Sequence, residues 1–326
     1  MTANVLPADL LPWFPAIRRS DHRPVDSVER SPEAVAAMPR WRRRITHPAL
    51  LWLVAMALFN VGQIVLLVAF LALGENPENE ARLGWTNFIA NMIGYAVIVG
   101  LEGRRPVELL RRPMTFLAAG LAIGVTLITV TAGVVTLLGG IEWGPAASSV
   151  DWAPMVLTLG VNAAIGEELL FHGVLFRYVE QGLGTIPALL VSAGFFGAVH
   201  LGNPNAAPGS AVAIAVQAGL LLGTLYALTR SLWLVIGVHF AWNVVQSVLF
   251  GFNVSGVGGH HGWLTPTPVG NPAISGGAFG LEGSVVAVAV GLLVSVAAVV
   301  LVARRGGLVR AAWTRGGGRG AAAPAR

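Results

Sequence analysis

Apolar runs of membrane-spanning length recur along this chain, at about Pro48 to Leu73, Trp85 to Leu101, Phe116 to Leu138, Pro154 to Tyr178, Thr185 to Leu201, Ser210 to Leu228, Leu232 to Phe250 and Leu281 to Ala303. A helix needs about 20 such residues to cross the ~30 Å hydrocarbon layer. Only helices and closed barrels satisfy their backbone polar groups there. The runs therefore predict an all-α fold, a polytopic membrane helical bundle of about eight transmembrane helices. With 55% hydrophobic and only 11% charged residues, the composition agrees that the main solvent is lipid.

The connecting segments test the count, because arginine should alternate between them if every run crosses the membrane. Gly74 to Gly84 is acidic and Gly103 to Pro113 carries Arg104, Arg105, Arg111 and Arg112. Gly140 to Ala153, Gly202 to Gly209 and Gly251 to Gly280 carry no arginine, whereas Arg177, Arg230 and the segment after Ala303 do. Both termini are thus expected in the cytoplasm. The division read from this is a flexible cytoplasmic arm over 1–44, a membrane domain over 45–303 with its core at about 154–250, and a basic Gly/Ala/Arg tail over 304–326. The arm is proline-punctuated, has no apolar signal region, and closes on Arg40-Trp41-Arg42-Arg43-Arg44.

Other features exclude more than they predict. Cysteine is absent, which removes disulfides, thiol nucleophiles and Cys-ligated metal sites. The basic excess is entirely arginine in an Ala-, Gly- and Val-rich chain, a bias that a GC-rich genome explains, so no nucleic-acid partner is expected. The pair His260-His261 lies in the Gly- and Pro-rich loop 251–280, read as flexible. It lacks the spaced further ligands of a metal site. No internal repeat supports an inverted-repeat transporter architecture.

Against that background Glu167 and Glu168 stand out, two adjacent carboxylates inside an apolar run. One charged side chain near the bilayer centre costs on the order of 3 kcal/mol on insertion scales, so a pair needs partners or a use. The two lie about 100° apart on a helix, so one can face a reaction while the other braces a neighbouring helix. Candidate partners lie downstream. Phe196 and His200 are four residues apart, as are His239 and Asn243, so each pair shares one helix face. A set of interhelical hydrogen bonds, worth roughly 0.6 kcal/mol each, accounts for any one of these residues but less well for all of them together.

Glu167-Glu168-Leu169-Leu170-Phe171-His172-Gly173, Phe196-x-x-x-His200 and His239-x-x-x-Asn243, in that order on successive apolar helices, resemble the three motifs of the CAAX protease and bacteriocin-processing (CPBP, or Abi) family of intramembrane glutamic endopeptidases. The stretch Leu220 to Tyr226 with Arg230 to Trp233 also resembles the helix pair before the family's last motif. The resemblance covers roughly Pro154 to Phe250. It implies peptide hydrolysis without a covalent intermediate or a cofactor. Glu167 and His200 would activate a water while His239 and Asn243 stabilise the oxyanion, and Glu168, His172 and Phe196 would complete the site. The implied partners are membrane lipid and a peptide or lipidated protein substrate, and the implied location is a bacterial plasma membrane.

One position departs from the pattern: His172 stands where the family usually has an arginine that braces the second glutamate. At i+4 a protonated His172 can still reach Glu168. Arg177, nine residues on, projects away from Glu168 and is expected to snorkel toward the cytoplasmic surface. The run boundaries also put His200 near the outer end of its helix and Glu167 at mid-helix, a mismatch in depth. A metalloprotease using Glu167, His200 and His239, a proton-coupled transporter and a non-catalytic scaffold are the competing readings, and the first lacks a His-Glu-x-x-His helix.

Overall fold

The computed structural model describes residues 80–258 and 262–314, with isolated positions between 39 and 72. The expected arm, most of the first apolar run, His260, His261 and the tail beyond residue 314 lie outside the described residues. Among the described residues the molecule is an all-α bundle whose strands are β1 (Ile141–Trp143) and β2 (Pro266–Pro268), paired antiparallel. Six helices among the described residues are long and apolar enough to cross a membrane.

The helices follow the runs with instructive shifts. Helix α1 (Glu80–Glu102) holds the second run, although its apolar stretch, Phe88–Glu102, is shorter than a full span. Pro113 opens α2 (Pro113–Leu137), where a missing N–H costs nothing. The motif helix α3 runs from Trp152 to Leu183, five residues beyond the expected end. Helices α4 (Thr185–Gly202), α5 (Pro208–Thr229), α6 (Leu232–Leu249) and α7 (Val285–Arg304) complete the set. The last predicted run starts at Leu281, but α7 begins only after Ser284, whose hydroxyl accepts from the Ala287 N–H as its cap.

Packing sets α5 and α6 at the centre, each with 67% of its span buried, and leaves α2 and α7 peripheral at 33%. The buried cluster that includes Leu169, Phe176, Leu225, Tyr226, Val235 and Val238 joins α3, α5 and α6. Leu137, Leu190, Val212 and Leu293 point outward and are exposed, as lipid-facing residues should be. Glycine brings α2 and α6 close. A Cβ on Gly120 would stand 2.2 Å from the Leu234 carbonyl oxygen, and one on Gly237 2.7 Å from that of Leu117. Small residues at a crossing allow this approach where no hydrophobic drive separates helix from lipid.

Charge divides the bundle along its length. Arg104, Arg105, Arg111, Arg112, Arg177, Arg230, Arg304, Arg305 and Arg310 all fall at one end; the other end's connections, 138–151, 203–207 and 250–284, contain none, and Arg82 in the first turn of α1 is the exception there. At the arginine end Arg177 is fully buried, a correction to the snorkelling expectation. Its guanidinium holds Glu102 through Nη1 at 2.9 Å and Nη2 at 2.8 Å, and its Nε donates to the Gly173 carbonyl at 2.9 Å. Arg104 joins Glu102 and Glu108, and Arg230 grips Glu180 with both terminal nitrogens. These partners explain why α3 continues past Tyr178. Its charges are neutralised inside the bundle and do not mark an exit into water.

The described part of the loop 251–280 is hydrogen-bonded into defined turns, against the expectation of a flexible loop. Val254 and Val257 bridge across a tight turn at Ser255-Gly256. The turn is pinned by Asn203 Nδ2 on the Ser255 carbonyl at 2.6 Å and Asn205 Nδ2 on that of Gly256 at 2.9 Å.

Candidate active site

Glu167 and Glu168 sit on a regular α-helical segment of α3, Ala164–Leu170, between two π-helical stretches, Val156–Ala163 and Phe171–Phe176. A π turn widens the helix and rotates the turns beyond it, and such turns concentrate at functional sites. The two carboxylates point in different directions. Glu167 faces a cavity of about 210 Å³, shared with Leu159, Ala163, Val199, His200, Asn203, His239, Asn243 and the turn residues Val254, Ser255 and Val257. Glu168 is fully buried and does not reach that cavity.

The depth mismatch disappears in this arrangement. Helices α3 and α4 form an antiparallel pair around Gly184, where a Cβ would meet the Val309 carbonyl oxygen at 2.6 Å. Glu167 lies 17 residues before that turn and His200 lies 16 after it, so the two are level. Mid-helix and helix-end coincide because α3 outruns α4 at the arginine-free end. His200 occupies a short 3-10 turn (His200–Gly202) that closes α4.

Across the cavity, His200 Nε2 stands 3.9 Å from Glu167 Oε2. That is too long for a direct hydrogen bond and suits one water touching both. Glu167 Oε2 is buried and has no hydrogen-bond partner among the described residues. His200 Nδ1 lies 2.6 Å from the Phe196 carbonyl oxygen. A carbonyl only accepts, so Nδ1 carries the proton and a neutral ring turns its Nε2 lone pair toward Glu167. The Phe196 ring lies 4.7 Å from the imidazole, centroid to centroid, and fixes its plane.

The opposite wall comes from α6. His239 Nδ1 lies 2.8 Å from Glu168 Oε1, which leaves Nε2 for the cavity side of the ring. Asn243 donates one Nδ2 hydrogen to the Leu159 carbonyl at 2.9 Å and keeps the other. Glu168 is held twice, since its Oε2 meets His172 Nδ1 at 2.5 Å. His172 is sealed among Phe176, Tyr226 and Gly223, and its Nε2 has no partner among the described residues. One carboxylate thus spans two imidazoles on α3 and α6, and Glu168 acts on the cavity through His239.

Sequence reasoning missed Asn203, Ser255 and Glu282. Glu282 precedes α7 and is nearly fully buried. Its Oε2 accepts from Gln246 Nε2 at 2.7 Å and the Ser255 N–H at 3.0 Å. Burial pushes the Glu282 carboxyl above its ordinary range against the pull of those donors. A carboxylate placed inside an assumed span was the available signal. Among the described residues no group of three His, Asp or Glu side chains is spaced to hold a metal ion.

No curated protein and no solved structure matches the chain. A family model described as type II CAAX prenyl endopeptidase Rce1-like matches residues 149–245, the stretch from the start of α3 into α6. That match supports an intramembrane CAAX-type endopeptidase, a peptide hydrolase, in general terms. The segment that supplies Glu167, His200, His239 and Asn243 is thus similar to an Rce1-like domain and lies in a multi-pass membrane protein.

Proposed function

We propose that the protein is an intramembrane glutamic endopeptidase in which Glu167 and His200 activate a water and His239 and Asn243 receive the oxyanion. The observation that carries this reading is Glu167 Oε2, without a hydrogen-bond partner among the described residues, facing His200 Nε2 across a cavity. A water between two acceptors has both hydrogens held and its own lone pair aimed outward, the posture of a nucleophile. As its oxygen bonds to the substrate carbonyl carbon, one water proton passes to Glu167. The carbonyl oxygen becomes an oxyanion beside the free N–H of Asn243 and, when His239 is the imidazolium paired with Glu168, its Nε2–H. Collapse breaks the C–N bond, and the proton on Glu167 moves to the leaving nitrogen. Donors fixed in a dry site are worth about 3 kcal/mol each in the transition state.

No step uses a metal ion. Cleavage should survive exhaustive chelation, and loss of cleavage with recovery on zinc addition would replace this scheme by a metal-dependent one.

A further inference from the structure

We infer that the cavity receives its substrate from the extracytoplasmic side, as the juxtamembrane segment of a polypeptide anchored in the same membrane. Three observations converge. Nine of the ten arginines between residues 80 and 314 gather at the end opposite the cavity, Arg82 at the start of α1 being the exception, and arginine-rich ends of a membrane protein stay in the cytoplasm. Along α3 the 17 residues from Gly184 to Glu167 measure about 25 Å at 1.5 Å per residue, most of a ~30 Å hydrocarbon layer. The cavity wall beyond Glu167 is built from Asn203 and the Val254–Val257 turn, which belong to the arginine-free connections.

The wall also tells what kind of chain fits. Val199 lines the cavity and is 54% exposed, so the cavity has an open apolar flank at the end of α4. A volume of about 210 Å³ is below the ~300 Å³ at which pockets begin to enclose drug-sized ligands. It admits a scissile dipeptide and its water and is too small to enclose a helix. An anchor then stays in lipid beside Val199 while the extended segment next to it enters.

Sidedness can be measured without knowing the substrate, because the chain has no native cysteine. Ser148→Cys lies at the arginine-free end, Val257→Cys at the cavity wall, and Trp313→Cys, at a 72% exposed position, at the arginine end. In intact cells a membrane-impermeant maleimide should label the first two and should reach the third only after permeabilisation. The opposite pattern overturns the inference and leaves the protease reading standing.

The substrate part rests on that reading and needs a second arm. Full-length protein in sealed liposomes, with the orientation of each population fixed by the same labels, is given a pool of lipid-anchored peptides displayed on the outer leaflet. Molecules with the arginine-free end outward should cleave the pool at least tenfold faster than those facing inward. Equal or reversed rates overturn the inference. Total absence of cleavage, in detergent as well as in liposomes, would instead sink the protease reading, and the labelling pattern would still decide the side.

Discussion

Two sets of carboxylates, all buried except the half-buried Glu167, lie toward opposite ends of one bundle and keep different company. At the arginine end Glu102 and Glu180 meet guanidinium groups head-on, with Tyr178 and Thr185 filling remaining acceptor sites. Arginine is charged at every accessible pH, so these pairs are fixed. In the other half of the bundle Glu168 meets only imidazoles, and Glu167 has a histidine at water-bridging distance. An imidazole ring can donate a proton at one nitrogen and accept at the other, so this half can move protons where guanidinium groups cannot. The same residue type holds the fold together in one place and is available for chemistry in the other.

The largest expected effect breaks the fixed side. Arg177→Met leaves the Glu102 carboxylate buried without its bidentate partner and should remove about 3–5 kcal/mol of stability, read as lost folded yield in detergent. Adding Glu102→Gln removes the excess buried negative charge and should restore part of that yield, because Arg104 then keeps Glu108 as its partner. If Arg177→Met alone melts like the parent, the arginine end is not the fixed half of the comparison.

The chemical side should respond in rate and not in folding. His239→Ala removes a proposed oxyanion donor and should lower kcat about 10²–10³-fold with a near-parent melting temperature. His172→Ala should cost less, roughly tenfold, because Glu168 keeps His239, whereas His172→Arg should retain activity if Gly223 leaves room for the guanidinium. Equal rates for parent, Ala and Arg variants would make His172 a packing residue only.

Much of this contrast is legible in the sequence, and the reasons for the exceptions are specific. Glu167, Glu168, His200, His239 and Asn243 can be singled out because polar side chains in apolar runs are conspicuous, and helical spacing puts Phe196 beside His200. The pairing of Arg177 with Glu102 spans 75 residues and leaves no local pattern. Read locally, Arg177 and Glu180 mark the end of a span, which is why the predicted run stops short of the end of α3. Glu282 is hidden by the converse error. Its apolar neighbours assign it to a helix, and its partners, Gln246 and Ser255, come from a helix end and a loop with no motif.

Glu282 offers the smallest effect and a test by pH. Its folded pKa is raised, so its contribution to stability is full below the unfolded carboxylate value near ~4.3 and is lost as pH rises through the folded value. Glu282→Gln fixes a neutral side chain at that position. The melting temperature of this variant relative to the parent should therefore be highest at pH 7–8 and decline toward acid pH. A difference that grows as pH falls would mean the carboxylate is held as an anion by Ser255 and Gln246.

The proposed chemistry turns on Glu167 as the base. Purified parent and Glu167→Gln protein, matched for melting temperature, should be compared for cleavage of a pool of membrane-anchored peptides in detergent. Loss of a general base predicts a fall of about 10²–10⁴-fold with the folded state unchanged. Cleavage by Glu167→Gln within a few-fold of the parent would contradict it.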